Sequence, residues 1–189
     1  MREELDGVEV RAFADGPAFE AWLEEHHPRT EGVWVKVAKK GSGIPSVTSD
    51  ELVDIGLCWG WVSGQRKPLD EVHYLQKYVP RRRRSVWSQV NVDKVEALLA
   101  AGRMREPGLA EVRAAQEDGR WDAAYESQRT AAAPAELVAA LEGRPAALAA
   151  WEGLDKGGRY LLMLPLLKAR TPEARAAQVD RILATLDPA

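Results

Sequence analysis

Apolar positions recur with period two in the first part of this chain and with period three to four beyond residue 85. Val8-Glu9-Val10-Arg11-Ala12-Phe13 alternates as a half-buried strand does. Gly32 to Lys40 alternates again, with Val33, Val35 and Val37 on one face and Trp34, Lys36 and Ala38 on the other. Val72 to Val79 is a third such run. It sets Val72, Tyr74, Gln76 and Tyr78 against His73, Leu75, Lys77 and Val79, and Pro80 ends it. Between the first two runs, Asp15 offers an N-cap, Pro17 a first-turn residue, and Phe19, Trp22, Leu23 and His26 an apolar stripe. A helix ending near His27-Pro28 follows. Thr48-Ser49-Asp50-Glu51 has capping-box spacing, ahead of a helix from Leu52 to about Trp59 that is apolar on nearly every side and is expected to be buried. Gly60 and Gly64 then predict a sharp exit around Trp61-Val62-Ser63.

Everything beyond Ser85 reads as helix. Val92, Val95, Leu98 and Leu99 form one stripe, stopped by Gly102. Pro107 opens a helix closing near Gly119, Pro134 one closing at Gly143, and Pro145 a short one ending near Trp151. Asp155 caps a segment holding Tyr160, Leu161, Met163, Leu164 and Leu167, in which Pro165 predicts a kink or break. Thr171-Pro172-Glu173 starts the last helix, striped by Val179, Ile182, Leu183 and Leu186. The pattern predicts an α+β fold: a small, mainly antiparallel sheet with packed helices, then an all-helical C-terminal region. Residues 1–121 and 134–189 are the expected domains, with the boundary in the 122–133 stretch.

Composition narrows the function. At 189 residues and 46% hydrophobic the chain can build a real core, and no apolar run approaches the roughly 18 residues of a membrane span. The charged start Met1-Arg2-Glu3-Glu4-Leu5-Asp6 lacks a signal-peptide core, and the single Cys58 forms no internal disulfide, so the cytoplasm is the expected compartment. The net charge of −3 is uneven. From Arg66 to Arg84 seven Lys or Arg face only Asp70 and Glu71, a local +5 on a remainder of −8. A compact basic patch on an acidic chain fits a small anionic ligand better than nucleic acid.

The patch centres on Arg81-Arg82-Arg83-Arg84-Ser85-Val86-Trp87-Ser88. A helix capped by Ser85 or Ser88 would aim free amides at the guanidinium groups, an arrangement suited to phosphate or carboxylate. Four successive arginines do not face one ligand, and Arg81 and Arg82 are the expected pair. Lys67, Asp70 and His73 are candidates for the same cleft, Asp70–His73 as an acid–base pair, although an Asp70–arginine salt bridge is the plainer expectation. Trp59, Trp61 and Trp87 suit a ring pocket or, more simply, a core. The Lys39-Lys40-Gly41-Ser42-Gly43 loop lacks P-loop spacing and reads as a hairpin or connecting turn. His26-His27, His73 and Cys58 have no ligand spacing, so no metal and no cofactor is expected.

Gly41 to Thr48, Leu57-Cys58-Trp59-Gly60-Trp61, Lys67, Leu69-Asp70, Pro80-Arg81-Arg82, Ser85, Trp87-Ser88 and Asn91 together form a pattern that resembles the YdeI/OmpD-associated, bacteriocin-protection family. Ala101 to Met104, Gly108-Leu109 and Asp118 to Trp121 continue it, and Arg159-Tyr160 with Ala169-Arg170 to Arg175 are similar to the family's terminal helical module. Ser63, Val79, Ala174, Ala177 and Gln178 depart from its pattern. The resemblance implies a link to envelope stress and tolerance of cationic peptides, and no particular reaction. The expected function is a non-enzymatic protection protein binding an anionic or phosphorylated small molecule at Trp61, Lys67, Asp70, Arg81, Arg82, Ser85, Trp87, Ser88 and Asn91. The alternatives are an enzyme using Asp70 or His73, and an interaction module using the C-terminal helices; a homo-oligomer is also open. A flat apolar patch at Val179, Ile182 and Leu186 would favour the interaction module.

Overall fold

A computed structural model describes residues 3–187. The backbone divides into two compact units. The first runs to Ser85 and takes in Asn91–Ala123; the second is Val86–Val90 with the chain from Ala124 onward.

In chain order the first unit holds β1 (Glu4–Leu5), β2 (Val8–Ala12), α1 (Gly16–His26), β3 (Val33–Ala38), α2 (Ser49–Cys58), β4 (Trp61–Pro68) and β5 (His73–Pro80). It also holds α3 (Gln89–Ala100) beyond Val90, and α4 (Glu106–Glu117). The strands form one sheet in the order β1-β2-β3-β5-β4. Only the β2–β3 pair is parallel, bridged by α1; the other neighbours are antiparallel. The fold is α+β.

Local chemistry starts the helices where the sequence predicts. Asp15 accepts the Ala18 amide at 2.9 Å ahead of α1. Thr48 and Glu51 close a complete capping box ahead of α2. The helical face of the sheet buries Val33, Val35, Val37 and Tyr78 with Phe19, Leu23 and Leu52. The opposite face has its own small core of Val8, Val10, Trp34 and Leu75. Trp34, which the alternation assigns to the outer face, is fully buried there, with the Lys67 and Lys77 ammonium groups 5.1 and 5.5 Å from its ring centre.

One sequence expectation is corrected in this unit. The stretch from Trp61 is no mere exit from α2 but a full strand, β4. It escapes the period-two pattern because it is an edge strand carrying Ser63, Gly64, Gln65, Arg66 and Lys67, and its register slips between Ser63 and Arg66. Charge and a bulge are what keep an edge from pairing with another chain. Of the two readings of the Lys39–Gly43 loop, the connecting turn holds and the hairpin does not, because β3 is flanked by β2 and β5 and the loop leads to α2.

The second unit holds α5 (Ala135–Glu142), α6 (Pro145–Gly153), α7 (Lys156–Lys168) and α8 (Pro172–Leu186). Asp155 caps α7 and Thr171 caps α8. Their core is Leu137, Leu141, Ala147, Trp151, Met163, Leu166, Val179, Ile182 and Leu183. Val179 and Ile182 therefore lie inside, and they do not form the flat apolar patch that would have favoured an interaction module. Pro165 does not break α7. The carbonyl it leaves without a donor is that of Leu161, at 71% exposure the most solvent-facing large apolar residue among those described, where water can serve it. Among the described residues no helix is long and apolar enough to cross a membrane.

Candidate functional site

Within the first unit, the residues singled out in the sequence do not gather at one place. Trp61 opens β4 and is buried, its Nε1 donating to the His27 carbonyl at 3.2 Å and its ring edge-on to Trp22 at 5.9 Å. It fills the core between α1 and the sheet.

Lys67 and Asp70 sit at the β4–β5 turn. Lys67 Nζ is 2.7 Å from Asp6 Oδ2, and that bond holds the Asp6 carboxyl below its ordinary range. Asp70 accepts the amides of Val72 and His73 at 2.9 and 2.7 Å, and the His73 Nδ1 lies 3.1 Å from both its oxygens. Desolvation pushes the Asp70 carboxyl up, but these bonds together outweigh it and hold it below its ordinary range. The pair thus forms the turn that joins two strands.

Arg81, Arg82 and Ser85 lie at the other end of the hairpin. Lys67 stands opposite Leu75, six residues before Arg81, a separation of roughly 20 Å at about 3.3 Å per strand residue. Arg81 is buried at 6% exposure and its amide donates to the Gly60 carbonyl, whereas Arg82, Arg83 and Arg84 are exposed. Arg81 and Arg82 do not present one surface. Ser85 does not cap a helix: its hydroxyl accepts the Arg82 amide at 3.0 Å, and α3 starts only at Gln89. The turn is held by a residue that sequence reasoning passed over as a site feature. Arg120, 4% exposed, donates its Nε to both Asp118 oxygens at 2.8 and 2.7 Å and its Nη1 to the Ser85 carbonyl at 2.9 Å.

Trp87 and Ser88 belong to the second unit. Trp87 is buried, and its carbonyl accepts the Tyr125 amide at 3.0 Å while Gln89 donates to the Tyr125 carbonyl at 2.8 Å. Ser88 stands opposite Tyr125 in that bridge. Asn91 is half-buried in the first turn of α3. Cys58 is a buried thiol whose ionisation burial pushes up, which suits packing and not nucleophilic attack.

The second unit holds a concavity that the sequence did not reveal. It has a volume of about 430 Å³ and lies at the start of α7, lined by Trp151, Tyr160, Lys156, Arg159, Gln128 and Met163. Arg159 is steered by its own unit: Nε donates to the Trp151 carbonyl at 3.1 Å, Nη2 to the Glu152 carbonyl at 2.7 Å, and its guanidinium lies 5.8 Å from the Trp151 ring centre. Lys156 Nζ donates to the Arg129 carbonyl at 2.9 Å. Carbonyl partners orient these cations without neutralising them. Asp155, beside Lys156 in the chain, accepts the Gly158 amide as the cap of α7. Tyr160 donates to the Glu126 carbonyl at 3.1 Å, and burial, reinforced by Tyr125, pushes its phenol up, so the ring stays neutral. A second hollow, sharing Gln128 and Lys156, continues past Ser127 and Arg129. The available signal was Lys156-Gly157-Gly158-Arg159-Tyr160: two glycines in a first turn weaken a helix and ask for a reason. A Cβ on Gly157 would stand 3.3 Å from Gln128 Nε2, at the cavity wall.

Residues 11–111, just over half of the chain, match a family described as a domain of unknown function (DUF8412). Residues 130–187, the helices of the second unit, match the family described as bacteriocin-protection, YdeI or OmpD-associated. No curated protein and no solved structure matches the chain.

Proposed function

This chain belongs to the DUF8412 family, and on that premise we propose that it is a binding protein, not a catalyst, whose bacteriocin-protection segment takes up a small anionic ligand bearing a ring or flat apolar body. The observation that carries this reading is the cavity in which Lys156 and Arg159 stand beside Trp151 and Tyr160. Cations fix an anionic group and aromatic faces pack a flat body, the usual division of labour in small-molecule sites. The residues with acid–base or nucleophilic potential support a non-catalytic role, because each is committed to structure: Asp70 and His73 in a turn, Cys58 in a core. A single, buried thiol suits a reducing compartment such as the cytoplasm. This reading places the anion site in the helical unit and not at the arginine run, and the burial of Arg81 beside an exposed Arg82 supports that choice.

The test is calorimetry with nucleotides, aryl phosphates and aromatic carboxylates on the parent and on Lys156→Ala. A charge-assisted bond contributes about 1.5–3 kcal/mol, so the variant should bind at least about tenfold more weakly with unchanged unfolding. A parent that binds none of the panel, or a variant that binds as tightly as the parent, refutes the reading.

A further inference from the structure

The Lys39–Thr48 segment has no part in the function proposed above, yet it encloses the larger cavity, about 600 Å³, in the first unit. Both ends of the segment are fixed. At one end the Lys39 amide donates to the Val72 carbonyl at 2.7 Å and its Nζ to the Asp70 and Glu71 carbonyls at 3.0 and 3.1 Å. At the other, Ser46 Oγ accepts the Ala38 amide at 3.1 Å and the fully buried Val47 donates to the Phe13 carbonyl at 3.0 Å. The hollow is therefore formed before any ligand arrives, which is how small-molecule sites avoid an ordering cost.

Between those anchors the chain turns on Gly41 and Gly43, at φ +86° and +73°, with nothing within 4 Å of either Cβ position. They are glycines for their backbone conformation and not for lack of room. The wall carries the hydroxyl-bearing residues Ser42, Ser49 and Tyr74 and two cations: Lys39, whose ammonium is held by the Asp70 and Glu71 carbonyls, and Lys40. Ser46 and Thr48 spend their hydroxyls on the frame. Hydroxyls both donate and accept, as sugar hydroxyls require, and an ammonium group supplies a point charge for phosphate. Asp50 on the same wall disfavours a bare anion and leaves hydroxyl recognition a necessary part of binding.

We infer that this cavity is a second site, for a phosphorylated polyol of the sugar-phosphate class, with Lys40 on the phosphate and Ser42, Ser49 and Tyr74 on the hydroxyls. The probes are glucose 6-phosphate, glucose and inorganic phosphate, added to the isotope-labelled full chain while the amide resonances of Gly41 and Gly43 are followed. Glucose 6-phosphate should shift both in a saturable way, at concentrations where glucose and phosphate do not. Lys40→Ala, an exposed side chain outside the core, should weaken it by at least about tenfold. Lys156→Ala should leave it unchanged, which separates this site from the one in the helical unit. No saturable shift, or equal binding by Lys40→Ala, or inorganic phosphate alone matching the sugar phosphate overturns the inference.

Discussion

A Cβ built on Gly108 would stand 2.3 Å from the carbonyl oxygen of Cys58 and 2.6 Å from that of Leu57. Backbone meets backbone here: α4 lies against the C-terminal end of α2, and the Arg105 amide donates to the same Cys58 carbonyl at 3.1 Å. Gly108→Ala should therefore cost about 1–3 kcal/mol or more by forcing the two helices apart. Gly153→Ala, with nothing within 4 Å of its Cβ position, should cost nothing and gain up to about 1 kcal/mol. Urea unfolding of both variants decides it; equal midpoints would mean that the α2–α4 contact is looser than described.

The Thr48–Glu51 capping box makes a second prediction, with a pH signature. The Thr48 amide donates to Glu51 Oε2 at 2.8 Å and the Glu51 amide to Thr48 Oγ1 at 3.2 Å. The bond from the Thr48 amide, followed by that from its hydroxyl, holds the Glu51 carboxyl below its ordinary 4.5. A depressed folded value means stability that is fully present above the ordinary value and lost as pH falls through the folded one. Thr48→Ala should cost about 0.5–2 kcal/mol at neutral pH. Glu51→Gln should lower stability at neutral pH, and its difference from the parent should shrink as pH drops below 4.5. A pH-independent difference in the unfolding midpoint would contradict the box.

How much of this was legible follows from where the information resides. The capping box, the Asp15 and Thr171 caps, and the strands Val8–Ala12, Val33–Ala38 and His73–Pro80 are local, set by residues within four positions of one another, and they read directly. Strand β4 did not read, because an edge strand with charged residues and a bulge abandons the alternation that marks half-buried strands. The arginine run shows the same limit at the level of function. Its charge is visible in sequence, but that Arg81 goes in while Arg82 goes out depends on the Gly60 carbonyl and on Arg120 holding Ser85, partners that are 21 and 35 residues away from Arg81 and Ser85. The helical-unit cavity was hidden because its cations and aromatics come from the ends of α6 and α7 and from the irregular stretch around Gln128.

The Asp70 turn separates a structural carboxylate from a catalytic one. Its two amide bonds and the His73 contact predict that Asp70→Ala lowers the unfolding midpoint, while Asp70→Asn, which keeps one acceptor oxygen, lowers it less. Because the carboxyl lies below its ordinary 3.8 in the folded chain, its contribution is full above that value and is lost as pH falls through the lower, folded one. The Asp70→Ala and parent midpoints should therefore converge in strong acid. A variant with the parent's midpoint at neutral pH would remove the turn as the reason for this aspartate.

The domain division is itself a proposal that mutation can probe, through Trp87. This residue is 1% exposed, and its backbone is paired with Tyr125 inside the helical unit although it lies some 40 residues earlier in the chain. We expect the helical unit to need that early segment, so that residues 134–189 are not by themselves the whole of the second domain. Trp87→Ala should cost about 3–5 kcal/mol, the range for truncating a buried aromatic. Trp87→Phe should cost a fraction of that, since it keeps a ring in the same space. The two roles weighed for this tryptophan make opposite forecasts. A ring that stacks on a ligand would leave the unfolding midpoint of Trp87→Ala near the parent's and reduce ligand affinity in calorimetry. A core ring lowers the midpoint and changes affinity only in proportion to the unfolded fraction. Denaturant unfolding followed by helix signal, together with hydrogen exchange resolved to α5–α8, reads both. Loss of protection across those helices in Trp87→Ala assigns the early segment to the helical unit, and unchanged protection there sinks the assignment.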